Sequence, residues 1–428
     1  MKTHAARIVI GALALLTSVA TAAEYFVATG GSDANAGTAG SPFATINRAA
    51  AVAKAGDTVW IKPGTYQPAE IIRPAQSGTS TAPILYRAQP GGEVIIDGQL
   101  NLPPKSSDGV FTINKKSWII LDGLRVINSH WFGIYVRGST DVIVRNCSTK
   151  NTYASGIFCG SSTNVQVLNN SVQLACTAPK STPIKNTQEC ITMASCSNFE
   201  VAYNTVFDRP EDNNNGGEGI DTKSACRNGK VHHNLVRDLI RLGIYCDAYM
   251  KQLDNIEIYA NTVHHCASGI VVACEEGGTA RGVSIHDNLI YDCPRLGIRL
   301  AGYLKNGAVQ DVTVHQNTVV RCGFGGSAWE NSGLLVEADN PTNRNFVIRN
   351  NIFADNRNQI RTKGQAYVTI DHNLLHGASL VPGKNTIVAD PLFVNAREND
   401  FRLSPGSPAI GKAVGQQLSD KTGHQPKP

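Results

Sequence analysis

Gly243-Ile244-Tyr245-Cys246-Asp247 recurs in outline at Gly269-Ile270-Val271-Val272-Ala273 and again at Gly297-Ile298-Arg299-Leu300-Ala301. Each time a small residue precedes an aliphatic one, and alternation follows. The pattern runs back through Gly219-Ile220, Cys190-Ile191, Gly156-Ile157 and Gly133-Ile134, and forward to Gly333-Leu334. A second signature keeps step with it: Asn146, Asn170, Asn204, Asn234, Asn261, Asn288, Asn317, Asn351 and Asn373. Both recur every 22 to 36 residues, a period that marks a solenoid or another repeat array. Each unit holds only short β-branched stretches, such as Val142-Ile143-Val144 and Ile256-Glu257-Ile258. These read as strands of about four residues between turns. The sequence therefore predicts an all-β fold, a parallel β-helix, whose equivalent residues stack about 4.8 Å apart. The recurrent Asn is expected at a left-handed turn position, its amide bonded to the Asn of the next coil.

The rest of the chain is organised around that array. It has 428 residues, 42% hydrophobic and 17% charged, with 40 Gly. That suits a turn-rich β fold and excludes a disordered chain. Lys2 and Arg7, an apolar run over 8–20 and Ala20-Thr21-Ala22 read as a secretory signal peptide, residues 1–22, cleaved after Ala22. Export to the periplasm or beyond is implied. The formal charge of +5 falls to +3 when Lys2 and Arg7 leave. No Lys/Arg stripe points to nucleic acid, and no later run is apolar enough to span a membrane. Residues 23–92 read as an N-terminal cap and first coils, with a capping helix over 43–55. Residues 93–388 form the β-helix core, and 389–428 an irregular C-terminal cover. Capped ends favour a monomer. Insertions at 175–189, 207–217, 302–310 and 323–332 adjoin the Gly-Ile strands, where they would wall a groove.

Alternation along the Gly-Ile strands sends two columns outward. One is Tyr135, Phe158, Thr192, Asp221, Tyr245, Val271, Arg299, Leu335; the other is Arg137, Gly160, Ala194, Lys223, Asp247, Ala273, Ala301, Glu337. Glu189 and Glu218 precede successive strands, and Glu275 and Glu276 follow another. Lys223 and Asp247 face each other, while Asp221 and Asp247 are diagonal at about 7–8 Å. Like charges so close need a cation or a shared proton. A calcium ion on Glu189, Glu218, Asp221 and Asp247 is one solution; a raised carboxyl pKa is the other. Tyr135, Arg137, Phe158 and Tyr249 are candidate substrate contacts. His232, His233, His264, His265, His286 and His315 read as stacked surface or turn groups. Of the 11 cysteines, Cys159 and Cys246 point inward, Cys266, Cys293 and Cys322 share a turn column, and Cys196–Cys226 or Cys176–Cys190 are bridgeable.

The segment from Glu24-Tyr25-Phe26-Val27 to Gly64-Thr65-Tyr66, with the Pro405-Gly406-Ser407-Pro408 tail, resembles secreted right-handed β-helix polysaccharide lyases. It is most similar to the family 9 pectate lyases and related carbohydrate-active proteins. In that family a carboxylate-Gly-aromatic strand and an Asp-rich strand bind calcium, and a Lys one coil further is the base. Glu218-Gly219-Ile220 matches the first strand. Arg241-Leu242-Gly243-Ile244 lacks the paired Asp before Gly, and the family's Lys position falls on Val271.

The leading expectation is β-elimination on an acidic, uronic-acid polysaccharide. It needs a neutralised carboxylate, a base and a proton donor. Calcium would supply the first, Lys223 or Arg299 the second and Tyr245 the third. Glycoside hydrolysis needs only two carboxyls, and Asp221 with Asp247 falls in the inverting range of about 6.5–9.5 Å; Glu275 or Glu276 is an alternative partner. A non-catalytic carbohydrate-binding solenoid and an epimerase are the other readings.

Overall fold

The computed structural model describes residues 22–104, 108–179, 189–208, 216–300, 307–337, 340–378 and 381–412. All of the predicted signal peptide but Ala22 lies outside them, as do 180–188 and 209–215 of the two longest insertions. Each turn of the coil lays down three strands. One turn runs Thr163–Leu168, Ser171–Gln173, Ile191–Ala194; the next runs Ser197–Ala202, Thr205–Phe207, Ile220–Lys223. Each strand pairs in parallel with its equivalent one turn on. Repetition of the first strand gives a thirteen-stranded sheet, and the other two merge into one of twenty-one.

Stacking explains the repeat. Ile134, Ile157, Ile191, Ile220, Ile244, Ile270 and Ile298 fall in one register column, and none has accessible surface. Each such side chain contributes about 1.5–3 kcal/mol by leaving water. A glycine precedes six of the seven, Cys190 standing before Ile191, and it is required sterically. A Cβ on Gly219 would lie 2.4 Å from the Gly243 carbonyl, and one on Gly269 2.5 Å from that of Gly297.

The asparagine ladder is present, one residue out of the expected phase. The Asn261 carboxamide accepts from Asn234 N and Nδ2 at 3.0 and 2.9 Å and donates to Val231 O and Asn288 Oδ1, both at 2.9 Å. The bonds run on from Asn170 to Asn373. The left-handed residue is the one before: His233, Ala260, Asp287 and Gln316 have φ of 53°, 51°, 54° and 55°. That residue turns the corner and thereby drives the next side chain inward. Asn146 is accordingly a turn residue at φ 53°, and Cys147 holds the ladder place, its N–H bonded to Asn170 Oδ1 at 2.9 Å.

Rings stack along the same edge as expected. His232, Tyr259, His286 and His315 follow one another at 4.6, 5.0 and 4.8 Å. All eleven cysteines are buried, and no disulfide forms among the described residues. Cys196 and Cys226 stack inside the coil as thiols, the Cys196 N–H 3.4 Å from Cys226 Sγ. Burial holds the Cys196 thiol up at about 12.

The cap helix α1 (Ile46–Val52) is shorter than expected. Phe43 is drawn into a parallel bridge with Val27, and Thr45 caps the helix by accepting from Arg48 N at 3.1 Å. The tail is more regular than expected. Phe393–Asn395 and Asp400–Leu403 pair antiparallel and lie along the coil's flank, where Phe401 meets Tyr291 at 5.2 Å.

Candidate active site

The register reproduces both outward columns: Tyr135–Phe158–Thr192–Asp221–Tyr245–Val271–Arg299–Leu335 and Arg137–Gly160–Ala194–Lys223–Asp247–Ala273. Ala301 lies outside the described residues. Exposure differs from expectation. Thr192, Asp221 and Val271 have no accessible surface, and Arg299 has 5%. The strand's alternation sets the direction of a side chain; what folds over it is a matter of neighbours.

Lys223 folds back over Asp221. Its ammonium lies 2.5 Å from Glu189 Oε1 and 3.3 Å from Asp221 Oδ2. The expected cross-strand pairing with Asp247 is not formed, although the two residues are register partners, because two carboxylates on the near side hold the ammonium. Glu189 also accepts from Thr192 Oγ1 at 2.8 Å. Arg241 Nε donates to Glu218 Oε1 at 2.7 Å. Tyr245 donates to Glu275 Oε1 at 2.7 Å, and the Glu275 N–H reaches Asp247 Oδ1 at 3.4 Å. Both carboxyl oxygens of Asp221, and Glu218 Oε2, are buried without a hydrogen bond.

The electrostatics follow from this crowding. Burial pushes the Asp247 carboxyl up from 3.8 to about 7, and the neighbouring Glu275 adds to it. Burial likewise raises Asp221 well above its ordinary value, Lys223 opposing and Glu189 and Asp247 assisting. Glu218 is raised by burial against the pull of Arg241. Burial draws the Lys223 ammonium down, but Glu189 and Asp221 outweigh it and hold it well above 10.5. Asp221 therefore holds its proton more tightly than an ordinary carboxyl, burial outweighing the Lys223 ammonium 3.3 Å from its Oδ2, and Lys223 stays charged against Glu189.

Glu189, Glu218, Asp221 and Asp247 thus share one cluster. Among the described residues no three of them bring ligand oxygens within 4.8 Å of one another. In this arrangement the cation between Glu189 and Asp221 is Lys223.

Other expected residues divide. Phe158 is half-buried, tilted against Phe132 at 4.6 Å and stacked on Tyr135 at 5.4 Å. Tyr135 is 3% exposed, a support beneath Phe158 whose hydroxyl accepts from the exposed Arg137 at 3.1 Å. Glu275 joins the cluster; Glu276, at φ 53° in the turn Glu275–Gly277, is exposed. Tyr249 is 40% exposed, beyond the end of the face strand. Arg299 is held by Glu330, at 2.9 Å, and by Glu337, two coils past Tyr245. Sequence reasoning gave no role to Arg241, Trp131, Phe132 or Glu330. Arg241 sits two residues before Gly243, outside the alternation, within a 13-residue strand, Leu235–Asp247, that carries no insertion.

The comparisons with known proteins agree with this architecture. Residues 25–188 match the Pel9A-like right-handed β-helix region, and residues 245–375 match the right-handed β-helix region. An uncharacterised Bacillus subtilis protein, YwoF, is 28% identical over 90% of this chain and 91% of its own. The pectate lyase PEL9 of Emericella nidulans is 34% identical over 34% of this chain and 38% of its own. The crystal structure of pectate lyase Pel9A superposes with a TM-score of 0.55 at 14% identity, covering 91% of each chain; that likeness establishes the fold. This chain is a right-handed parallel β-helix protein whose first coils are Pel9A-like and which resembles the pectate lyases and other β-helix carbohydrate-active proteins.

Proposed function

We propose that the chain is an exported polysaccharide lyase that cleaves an acidic, uronic-acid polymer by β-elimination on the face around Lys223. The observation that carries this reading is the half-buried Lys223 ammonium set among Glu189, Asp221 and Asp247, whose carboxyl stands at about 7, on the face that carries the half-exposed Phe158 two coils earlier. The lyase and pectate-lyase names among similar proteins support it. Export rests on residues 1–22.

Glu189, Glu218, Asp221 and Asp247 carry oxygens of the kind calcium takes, and a calcium ion would have to displace Lys223 and draw them together to bind there. Calcium held there would neutralise the uronate carboxylate and draw counter-charge from Lys223. Lys223 is the candidate base for the C5 proton, and it works only once deprotonated. Asp247, at about 7, exchanges protons near neutrality, and Tyr245, whose hydroxyl donates to Glu275 Oε1 in the free chain, is the candidate donor to the leaving oxygen. Phe158 offers a ring face to the sugar and Arg137 a charge. Arg299, locked by Glu330 and Glu337, is a structural cation, not a base.

One observation favours a second reading. Asp247 retains its proton up to about 7 and lies diagonal to Asp221, as the acid of an inverting glycoside hydrolase would, with Asp221 the carboxyl that would have to ionise to serve as its base. The mature chain is to be incubated with pectate, alginate, rhamnogalacturonan and neutral polysaccharides. Absorbance near about 235 nm and reducing ends are followed with and without chelator. A rise in absorbance on an acidic polymer supports elimination, and its loss with chelator supports the cation. Reducing ends without absorbance overturn the lyase in favour of the hydrolase. Neither signal leaves a binding solenoid.

A further inference from the structure

We propose that Asp238, His264 and His265 form a binding site for a divalent transition-metal ion on an outer corner of the coil, apart from the Lys223 cluster. Consecutive strand side chains point to opposite faces, so His264 and His265 ought to diverge. They converge, because His265 takes the left-handed conformation at φ 51°; the two Nδ1 atoms lie 2.7 Å apart. Asp238 occupies the same corner one coil earlier, at φ 56°, next to Arg237, the register partner of His264. One ligand atom from each of the three lies within 4.8 Å of the other two.

The donors are also held. Arg237 grips Asp238 Oδ2, and the His264 ring lies flat on Tyr291, 4.7 Å away at 14°. Such outer support is what orients metal ligands.

The corner geometry alone does not make a site. His232 and His233 repeat it, with Nδ1 atoms 2.8 Å apart. There the carboxylate of Glu200 meets His232 Nε2 at 3.0 Å, on the far side of the ring, so the three groups surround no common point. His286 with Asp287 and His315 with Gln316 bring only two groups together. Convergence of three is particular to Asp238, His264 and His265 among the described residues.

Two imidazoles and one carboxylate suit zinc, copper, nickel or cobalt, whereas calcium takes oxygen. Bonds of about 2.0–2.2 Å require the two rings to part slightly, which the exposed His265 permits. The ion would staple one coil to the next and keep water on its open side.

The test uses the untagged chain stripped of metal and titrated with cobalt, followed by visible absorption, then with zinc as competitor. One equivalent, displaced by zinc and untouched by equal calcium, is expected. His264→Phe keeps the stack on Tyr291, and His265→Asn suits the left-handed position. Each should weaken binding at least tenfold while the circular dichroism stays that of the parent. His233→Asn should bind as the parent does. Should either of the first two fail to fold, Asp238→Asn replaces it, with the same loss expected. Parent-like cobalt binding in these variants, or a loss confined to His233→Asn, overturns the proposal.

Discussion

Asp247→Asn should stabilise the folded chain in neutral and alkaline solution and abolish turnover at the same time. The Asp247 carboxyl is 2% exposed and its pKa stands at about 7 against an ordinary 3.8. At about 1.4 kcal/mol per pH unit, ionising it in the folded chain costs about 4 kcal/mol more than in the unfolded one. The sign follows from proton counting. Between pH 4 and 7 the native state holds a proton that the unfolded chain releases, so stability declines with rising pH over that window and levels above it. Asn at this position accepts the same N–H from Glu275 and never ionises. Urea unfolding of parent and variant is therefore expected to coincide near pH 4. By pH 8 the variant should lead by up to about 4 kcal/mol, the attraction of Lys223 already being part of the Asp247 pKa. Product formation, by absorbance or reducing ends, should fall at least a hundredfold at every pH. A variant less stable than the parent at pH 8 would refute the reasoning, because it would make the ionised carboxylate a net stabilising partner of Lys223.

Lys223→Met should reduce turnover by about 10²–10⁴-fold and destabilise the fold, because Glu189 and Asp221 lose the ammonium between them; initial rates and urea melts beside the parent check it. Asn261→Ala removes four hydrogen bonds from the ladder and should cost about 3–5 kcal/mol, read as a lower urea midpoint. Phe158→Ala should raise KM for polymer about tenfold with kcat nearly unchanged, seen in initial rates and in retardation by polymer-loaded gels.

The coil and its columns were legible because two periods coincide, alternation within a strand and one coil between strands. Together they put Asp221, Lys223, Tyr245 and Asp247 on one face with the correct register. The ladder was legible in kind and off by one residue in conformation. Asn is the usual non-glycine visitor to left-handed backbone, yet here the corner residue is His233, Ala260 or Gln316, and the Asn behind it is buried for its amide. Only the chain of bonds across coils shows this, and it excludes Asn146. Cys196 and Cys226 seemed bridgeable because equivalent positions lie close in adjacent coils. Pointing inward at the core, they pack as small apolar groups instead. The three-residue corner of Asp238, His264 and His265 has no spacing signature, because one ligand comes from the preceding coil.

The acid cluster is better explained by chemistry than by stability. A structural ion network satisfies its members, and the ladder a few residues away does so at every step. On the face, Asp221 has two buried oxygens without a hydrogen bond, one of them facing the Lys223 ammonium at 3.3 Å, and Glu218 has one. A buried carboxyl left in that state costs a few kcal/mol, and a buried ion pair is weak support for a fold in any case. A solenoid coil depends on its immediate neighbours, so this cost falls on the coils that carry Ile191, Ile220, Ile244 and Ile270 inward. Those same coils would be more stable with Asp221 and Asp247 replaced by amides. Buried carboxyls that destabilise their own coil, with Asp247 titrating at about 7 among them, are the groups expected to move a proton or receive a cation.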